Sequence, residues 1–427
     1  MARSADPGLP GSIAADVLDR AALDAAMAGV DVVYHLIHSL SDKGFAEVDE
    51  RVARAVADAA ERAGVRQIVY LGGPRPPGDL SPHLASRAEV GDVFLACPVP
   101  ALVLRASMVI GPGSASYELL ALGARATPIM LKPAWMSNRS RPIAVTDVLG
   151  YLVAAMSEVP VNAAVDIGGP DVLTYSDLIQ RYARVAGLPW RVPVPLPSVP
   201  WEPAFAAAAA LAPLPSPLVR ALLESLRHDL VPDEVAAPPP GGWTSVDRAL
   251  RAALGLDIPA PPPAVGTKVD RKVTRTGAPA DALWRVITGI GGDAGWHTIP
   301  GVWTVRGLAD HAIGGVGLHH GRTRDLQPGD TVDAWTVVER DDANRRLILK
   351  ADMRLPGEAW LTMTAFSDGD GSRYEQRVDF RPTGLAGRTY WYAQRPAHDV
   401  VFGLMARGVA RAAERAGKSE AAPARAW

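Results

Sequence analysis

One local pattern occurs twice and constrains the fold of the first half of the chain. Ala28-Gly29-Val30-Asp31-Val32-Val33-Tyr34 recurs in kind as Ala63-Gly64-Val65-Arg66-Gln67-Ile68-Val69-Tyr70. Each copy closes a helical pattern with glycine and enters an apolar run at once. Glycine adopts the left-handed conformation that stops a helix without a Cβ clash, so the pattern predicts a helix, a left-handed stop and a buried strand. The first helix should start behind Asp19 as its N-cap, with Leu23, Ala26 and Met27 on one face. The second should run from Phe45 to Ala63, with Val48, Val52, Ala55, Val56 and Ala59 at helical spacing. A third strand is expected at Val99 to Leu104. Helices and strands alternating through such short connections imply an α/β, Rossmann-like, doubly wound parallel sheet, in which ligands bind beyond the carboxyl ends of the strands. Those ends are Leu36-Ile37-His38, Leu71-Gly72-Gly73 and Arg105-Ala106-Ser107-Met108.

A nucleotide-binding sheet of this kind opens with a strand, a glycine-rich turn and a helix whose N-terminus holds the pyrophosphate. About fifteen residues precede Asp16, too few to span that unit. The sheet is therefore expected to be N-terminally truncated, and to hold a dinucleotide more weakly than a version that carries the unit. The literal G-x-x-G-x-x-G at Gly289, Gly292 and Gly295 follows a helical pattern and opens no helix, so it is not read as a phosphate cradle.

Length and composition set outer bounds. A chain of 427 residues has room for two or three domains. A formal net charge of -2 gives no electrostatic reason to expect nucleic acid or an anionic membrane as partner. The single cysteine, Cys97, excludes an intrachain disulfide and fits a reducing cytoplasm. No apolar run is long enough for a membrane span, since the stretch around Ala204 to Leu211 is short and bounded by prolines. A soluble, cytoplasmic protein is expected.

The first domain should continue through a helix at Ser114 to Ala124, an apolar piece at Ile143 to Val145, a helix capped by Asp147, and a strand at Val165 to Ile167. Thr174 to Asp177 should open a helix that ends near Gly187, and Pro193 to Pro217 should pack irregularly around one short helix. A further helix is expected at Ser245 to Leu254. The domain bounds are then residues 1–255, with a substrate region around 110–255, a proline-rich spacer at 256–266, and a second domain at 267–427. Beyond Ala264 strands come in series, at Thr331 to Arg340, Arg345 to Ala351, Glu358 to Phe366 and Arg373 to Phe380. A helix at Ala280 to Ile287 precedes them and a long one from Pro396 to Ala416 follows. This is the pattern of an α+β domain whose terminal helix covers an antiparallel sheet.

Certain strings in the chain carry a resemblance. Ala15-Asp16-Val17-Leu18-Asp19, Tyr34-His35-Leu36-Ile37-His38-Ser39, Tyr70-Leu71-Gly72-Gly73, Ser81-Pro82-His83-Leu84-Ala85-Ser86-Arg87 and Asp166-Ile167-Gly168-Gly169-Pro170 resemble bacterial NAD(P)-binding proteins of the atypical short-chain dehydrogenase/reductase group. The likeness is to its NmrA-like and complex I accessory-subunit branch. The part after Ala264, with Trp284-Arg285-Val286, Gly314-Gly315-Val316-Gly317 and Arg354-Leu355-Pro356-Gly357, is similar to the uncharacterised domain fused to those proteins, of START-like, helix-grip type. The resemblance implies NAD(P) as cofactor. It implies adenine contacts from Asp16 and Val17, and a dinucleotide lined by Leu36, Ile37, His38, Leu71, Gly72, Arg105 and Met108. The group's catalytic pair is spaced Y-x-x-x-K; this chain has His83 and Arg87 at that spacing instead, and they are the candidate catalytic residues. Histidine can exchange a proton near neutral pH and arginine can hold a phosphate or ribose.

Other readings stand beside these. His83 and Arg87 can be a solvated histidine and arginine at a helix start, and Arg105 can form a salt bridge at the sheet edge. His311, His319 and His320 lack metal-ligand spacing, so no metal is expected, and no G-x-S-x-G supports a hydrolase. The tryptophans of the second domain, Trp284, Trp296, Trp303, Trp335, Trp360 and Trp391, can line an apolar ligand site or simply fill a core. Two functions follow: an oxidoreductase acting on a carbonyl or enone, or a non-catalytic dinucleotide sensor whose C-terminal domain binds an apolar ligand or a partner.

Overall fold

Asp19 caps α1 (Arg20–Met27), its carboxylate accepting from the Ala21 and Ala22 amides, and Gly29 follows at φ 72°. The chain then enters β1 (Val32–His35). α2 (Phe45–Ala63) stops at Gly64, φ 68°, whose N–H reaches the Ala60 and Glu61 carbonyls, and β2 (Gln67–Gly72) follows. Both copies of the repeated pattern thus fold as helix, left-handed glycine and strand. In this computed structural model the described residues are 13–39, 44–157, 159–196, 201–212, 214–291, 294–298 and 325–421. They form two compact units, residues up to 182 with 191–253, and 183–190 with 254 onward.

In the first unit Ser81 caps α3 (Pro82–Leu95) by accepting from the Leu84 amide, with Pro82 in the first turn where its missing N–H costs nothing. β3 occupies Ala101–Ala106, two residues later than the apolar run suggests, because Pro100 has no N–H to give to a ladder. α4 (Ala115–Arg125) and α5 (Val145–Ser157) precede β4 (Ala163–Ile167). Asp147 lies inside the first turn of α5 rather than capping it, and its carboxylate accepts from the Thr244 amide at 2.7 Å and the Thr244 hydroxyl at 2.6 Å.

All four strands are parallel, in the order β1-β2-β3-β4. The order follows the chain without reversal among the described strands, so the crossover point that a doubly wound sheet offers its ligand is not between any of them. Both faces are nevertheless covered. Ile68, Tyr70 and Val103 pack with Leu23, Val52, Val56 and Phe94 of α1, α2 and α3, while Val69, Leu102 and Leu104 pack with Val148 and Ala155 of α5.

α6 (Tyr175–Val185) opens with a reciprocal cap between Thr174 and Asp177. The proline-rich stretch after it is more regular than its composition suggests. Val192–Leu196 is a strand paired in parallel with Ile129–Pro133, and α7 (Trp201–Leu211) and α8 (Ser216–Ser225) follow. α9 (Val246–Ala253) ends the unit.

The second unit is a six-stranded antiparallel sheet with helices on one face. Its elements are β5 (Lys268–Thr276), α10 (Ala280–Thr288), β6 (Thr331–Val332), β7 (Trp335–Asp341), β8 (Arg346–Ala351), β9 (Gly357–Asp368), β10 (Gly371–Pro382) and α11 (Gly384–Ala421). The strand order is β5-β10-β9-β8-β7-β6. Leu283 and Ile287 of α10 and Met405, Ala406 and Val409 of α11 pack on Val337, Leu349, Leu361, Met363 and Tyr374 of the sheet.

Three features depart from the sequence pattern. β5 is an edge strand whose charged, mostly exposed residues hide its alternation. The strand expected at Thr331 to Arg340 is broken at Asp333, which turns at φ 51°. α11 begins at Gly384 and runs through Pro396. A proline inside a helix costs about 3 kcal/mol; Trp391 before it and Phe402, Met405 and Val409 after it are all buried, each worth roughly 1.5–3 kcal/mol, so burial wins. Within the expected proline-rich spacer at 256–266, the Ala260 carbonyl accepts from the Trp360 indole at 3.0 Å.

Candidate functional site

The carboxyl ends of β1 and β2 converge on one arginine. Arg87, nearly two turns into α3 from Ser81, donates through Nη2 to the Leu71 carbonyl at the end of β2, and its guanidinium lies 5.2 Å from the centre of the Tyr70 ring. The Tyr70 hydroxyl donates to the Arg87 carbonyl at 3.3 Å, tying helix and strand together. Gly73 lies against Arg87, where an added Cβ would make ordinary van der Waals contact with the Arg87 Cβ at 3.4 Å. Beneath the cation sits an aromatic layer: His35, 3% exposed, packs against Phe94 at 4.9 Å and Tyr70 at 5.6 Å.

Three imidazoles surround Arg87 and all are biased toward neutrality. Burial, reinforced by the Arg87 charge, lowers His35 to about 4. Burial and then Arg87 lower His83, also to about 4. At the end of β1 His38 is lowered in the same way, against a weaker pull from Asp49. Asp49 of α2 is buried, which raises its pKa although it accepts from the Ser39 amide at 2.8 Å. No carboxylate lies within ion-pair distance of Arg87 among the described residues; Asp49, farther off, is coupled to its charge, which pulls the Asp49 carboxyl down against burial.

His83 is half-buried, and Nδ1 lies 3.1 Å from the Ser225 Oγ at the end of α8. The Ser225 hydroxyl donates to the Ala221 carbonyl at 2.9 Å. Its proton being so placed, Ser225 accepts from Nδ1–H, which leaves Nε2 of the neutral ring as an acceptor. His83 in this state can take a proton or accept a hydrogen bond; it is a poor acid at neutral pH.

Leu36 and Ile37 extend beyond β1, which pairs with β2, and are 53% and 39% exposed, an apolar ledge that suits the flat face of a nucleotide. Leu71 contributes its carbonyl to Arg87, and Gly72 is bare because a Cβ there would meet the Tyr70 ring at 3.0 Å. Ledge and cation together fit a dinucleotide, whose faces are apolar and whose linkage is anionic. Arg105 and Met108 are engaged elsewhere: Arg105 pairs with Asp166 at 2.9 Å, its neighbour in the β3–β4 register, and the Met108 side chain is buried. Asp16 is exposed, its carboxylate accepting from the Leu18 amide at 2.9 Å, and Val17 packs against the core of α1 and α2.

The residues that sequence reasoning missed are His35, Asp49, Tyr70 and Ser225. Asp49 had a signal, a carboxylate among the apolar positions of α2; Ser225, far along the chain, had none. Of the glycine set at 289–295, Gly289 terminates α10 and Gly292 lies outside the described residues, as do Trp303, His311, His319 and His320. Among the described residues no cluster of three metal-ligating side chains occurs. Of the tryptophans named from the sequence for the second domain, the described ones, Trp284, Trp296, Trp335, Trp360 and Trp391, are buried, with Trp284 donating to Asp342 and Trp296 to Asp333. No described helix is long and apolar enough to cross a membrane.

Comparison with known proteins matches each unit to a family. Residues 4–93 match the family described as NAD(P)H-binding, and residues 267–405 match the family described as Protein of unknown function (DUF2867). The ceramide reductase of Caulobacter vibrioides (strain NA1000 / CB15N) is 31% identical over 172 residues, 39% of this chain and 53% of that protein. The chain thus spans about half the length of this curated relative. Among solved structures, the Citrobacter sp. triphenylmethane reductase complexed with NADP(H) aligns at 17% identity and a TM-score of 0.44, covering 56% of this chain and 82% of that one. The UDP-glucuronic acid 4-epimerase of Bacillus cereus in complex with NAD aligns at 17% identity and a TM-score of 0.37, covering 50% and 78%. A segment at each end of the chain thus matches a family model, NAD(P)H-binding in the first unit and DUF2867 in the second.

Proposed function

We propose that the first unit holds an NAD(P) dinucleotide at the carboxyl edge of its parallel sheet and works as a reductase on a carbonyl or enone compound, within the atypical short-chain dehydrogenase/reductase group. The observation that carries the reading is Arg87: a cation fixed to the end of β2, without a carboxylate partner among the described residues, amid neutral imidazoles. Bound there, the nicotinamide supplies a hydride. Arg87 would hold the ribose or phosphate side of the cofactor, and the alkoxide left by hydride addition to the carbonyl carbon would take its proton from solvent. Leu36, Ile37 and His38 line the dinucleotide, Asp16 and Val17 belong to its adenine end, and Leu71 and Gly72 to the rest of its wall, while Arg105, paired with Asp166, and the buried Met108 support the sheet behind it. The ceramide reductase relative supports an amphiphilic carbonyl compound as the substrate class.

A second reading is favoured by His83. Lowered to about 4 and with Nδ1–H committed to Ser225, it does not supply the proton that carbonyl reduction needs. On that reading the unit senses or merely binds the dinucleotide, and the second unit, read as a START-like helix-grip domain, binds an apolar ligand or partner. The six antiparallel strands under a long helix support the helix-grip assignment. Oxidation of NADPH and NADH, followed by absorbance with a panel of aldehydes, ketones and enones, separates the two. Turnover supports the reductase, and binding without turnover supports the sensor.

A further inference from the structure

Gly168 and Gly169, directly after β4, leave room for one arginine. A Cβ on Gly168 would lie 3.0 Å from Cδ and Cγ of Arg141, and one on Gly169 would lie 2.4 Å from the Pro142 carbonyl oxygen. The bare pair lets residues 141 and 142 lie against the carboxyl end of the strand, the side on which a parallel sheet takes its ligands. There Arg141 is fixed at both ends. The Ser107 hydroxyl, just past β3, donates to the Arg141 carbonyl at 2.7 Å, and Nε of the side chain donates to the Gly169 carbonyl at 2.7 Å.

The rest of the guanidinium is uncommitted. It lies 5.7 Å from the centre of the half-buried Trp243 ring, whose indole donates to the Tyr151 hydroxyl at 3.4 Å. Neither Nη1 nor Nη2 has a hydrogen-bond or ion-pair partner among the described residues. Two arginines nearby in the fold differ in this respect: Arg105 pairs with Asp166 at 2.9 Å and Arg139 with Asp229 at 2.7 Å. Asp171 acts on Arg141 only from beyond ion-pair distance, its carboxylate accepting from the Val246 amide at 2.9 Å. Arg141 is itself half-buried, and burial pulls its pKa down. A clamp on the Gly169 carbonyl needs Nε alone. The remaining fork matches the two oxygens of a carboxylate or phosphate, and the indole keeps the plane of that fork fixed.

We propose that Arg141, backed by Trp243, is an oxyanion site that takes the carboxylate or phosphate group of a small molecule through Nη1 and Nη2 at the carboxyl end of β4. The site is separate from the Arg87 cluster and does not depend on the dinucleotide reading.

Titration of the full chain with inorganic phosphate and with benzoate, at constant ionic strength and followed by the thermal midpoint, tests it. At least one of the two should raise the midpoint saturably, because a ligand of the folded state alone stabilises that state. Arg141→Ala should weaken that anion about tenfold or more. Arg141→Lys keeps the charge without the fork and should weaken it about threefold or more; it carries the test if the alanine variant misfolds. Gly168→Ala crowds the Arg141 stem and should shift affinity in the same direction. Preference for phosphate assigns the site to phosphate esters, and preference for benzoate to carboxylates. Saturating NADPH should leave the anion's affinity unchanged. The proposal is overturned by a wild type that neither anion stabilises saturably, by folded Arg141 variants that bind as the wild type does, which would mean an adventitious ion only, or by competition between anion and NADPH, which would make Arg141 part of the dinucleotide's own site. Failure of NADPH to bind at all bears on the Arg87 reading and not on this one.

Discussion

His83 and Ser225, 142 positions apart in sequence, meet with Nδ1 and Oγ at 3.1 Å. The serine hydroxyl donates to the Ala221 carbonyl and lies 3.4 Å from the Ser81 hydroxyl, and the His83 tautomer that matches this arrangement carries its proton on Nδ1. The most reactive-looking side chain of the site is thereby held as a neutral acceptor.

His83→Phe should consequently leave dinucleotide affinity and any turnover within about threefold of wild type. Steady-state kinetics and a binding titration check this. A loss of about a hundredfold in turnover with unchanged affinity would show that His83 donates the proton after all.

Acid should destabilise the first unit through its histidines. His35 and His83 titrate near 4 when folded but near the ordinary 6.5 when unfolded. Between those values the unfolded chain binds more protons, so stability grows as pH rises from about 4 to about 6.5 and is lost on acidification through that window. The effect is on the order of 3 kcal/mol for each histidine. Denaturant melts across this pH range should show it, and NMR should find both rings neutral at pH 6. A stability that is flat from pH 4 to 6.5 would contradict the burial of both rings.

Gly64→Ala should lower stability by about 1 kcal/mol, because φ 68° is strained for any residue with a Cβ even though the space around it is open. Pro396→Ala should act in the opposite sense. It restores an N–H inside α11 and should raise the thermal midpoint of the second unit, by up to about 3 kcal/mol in stability. Calorimetry of the two variants checks both signs.

Much of the first unit was legible because its signals are local. Asp19, Gly29, Gly64 and Ser81 act within a few residues of themselves, and each sits where its chemistry predicts. What stayed hidden depends on partners distant in sequence. Val192–Leu196 reads as a proline-rich loop until Ile129–Pro133 is beside it, and β5 becomes a strand only against β10. The same holds in the site: the positions of His83 and Arg87 could be named from the string Ser81 to Arg87, but not the Ser225 contact that governs one nor the Leu71 carbonyl that holds the other. Arg105 could not be assigned between a ligand and a salt bridge until β4 placed Asp166 next to it.

The central claim is that Arg87 anchors a dinucleotide at the end of β2, and fluorescence titration of the full chain with NADPH and NADH tests it most directly. The wild type should bind, and Arg87→Ala, with its thermal midpoint compared to exclude a folding defect, should bind about tenfold or more weakly. A wild-type chain that binds neither nucleotide, or an Arg87→Ala chain that binds as tightly as wild type, would contradict the account.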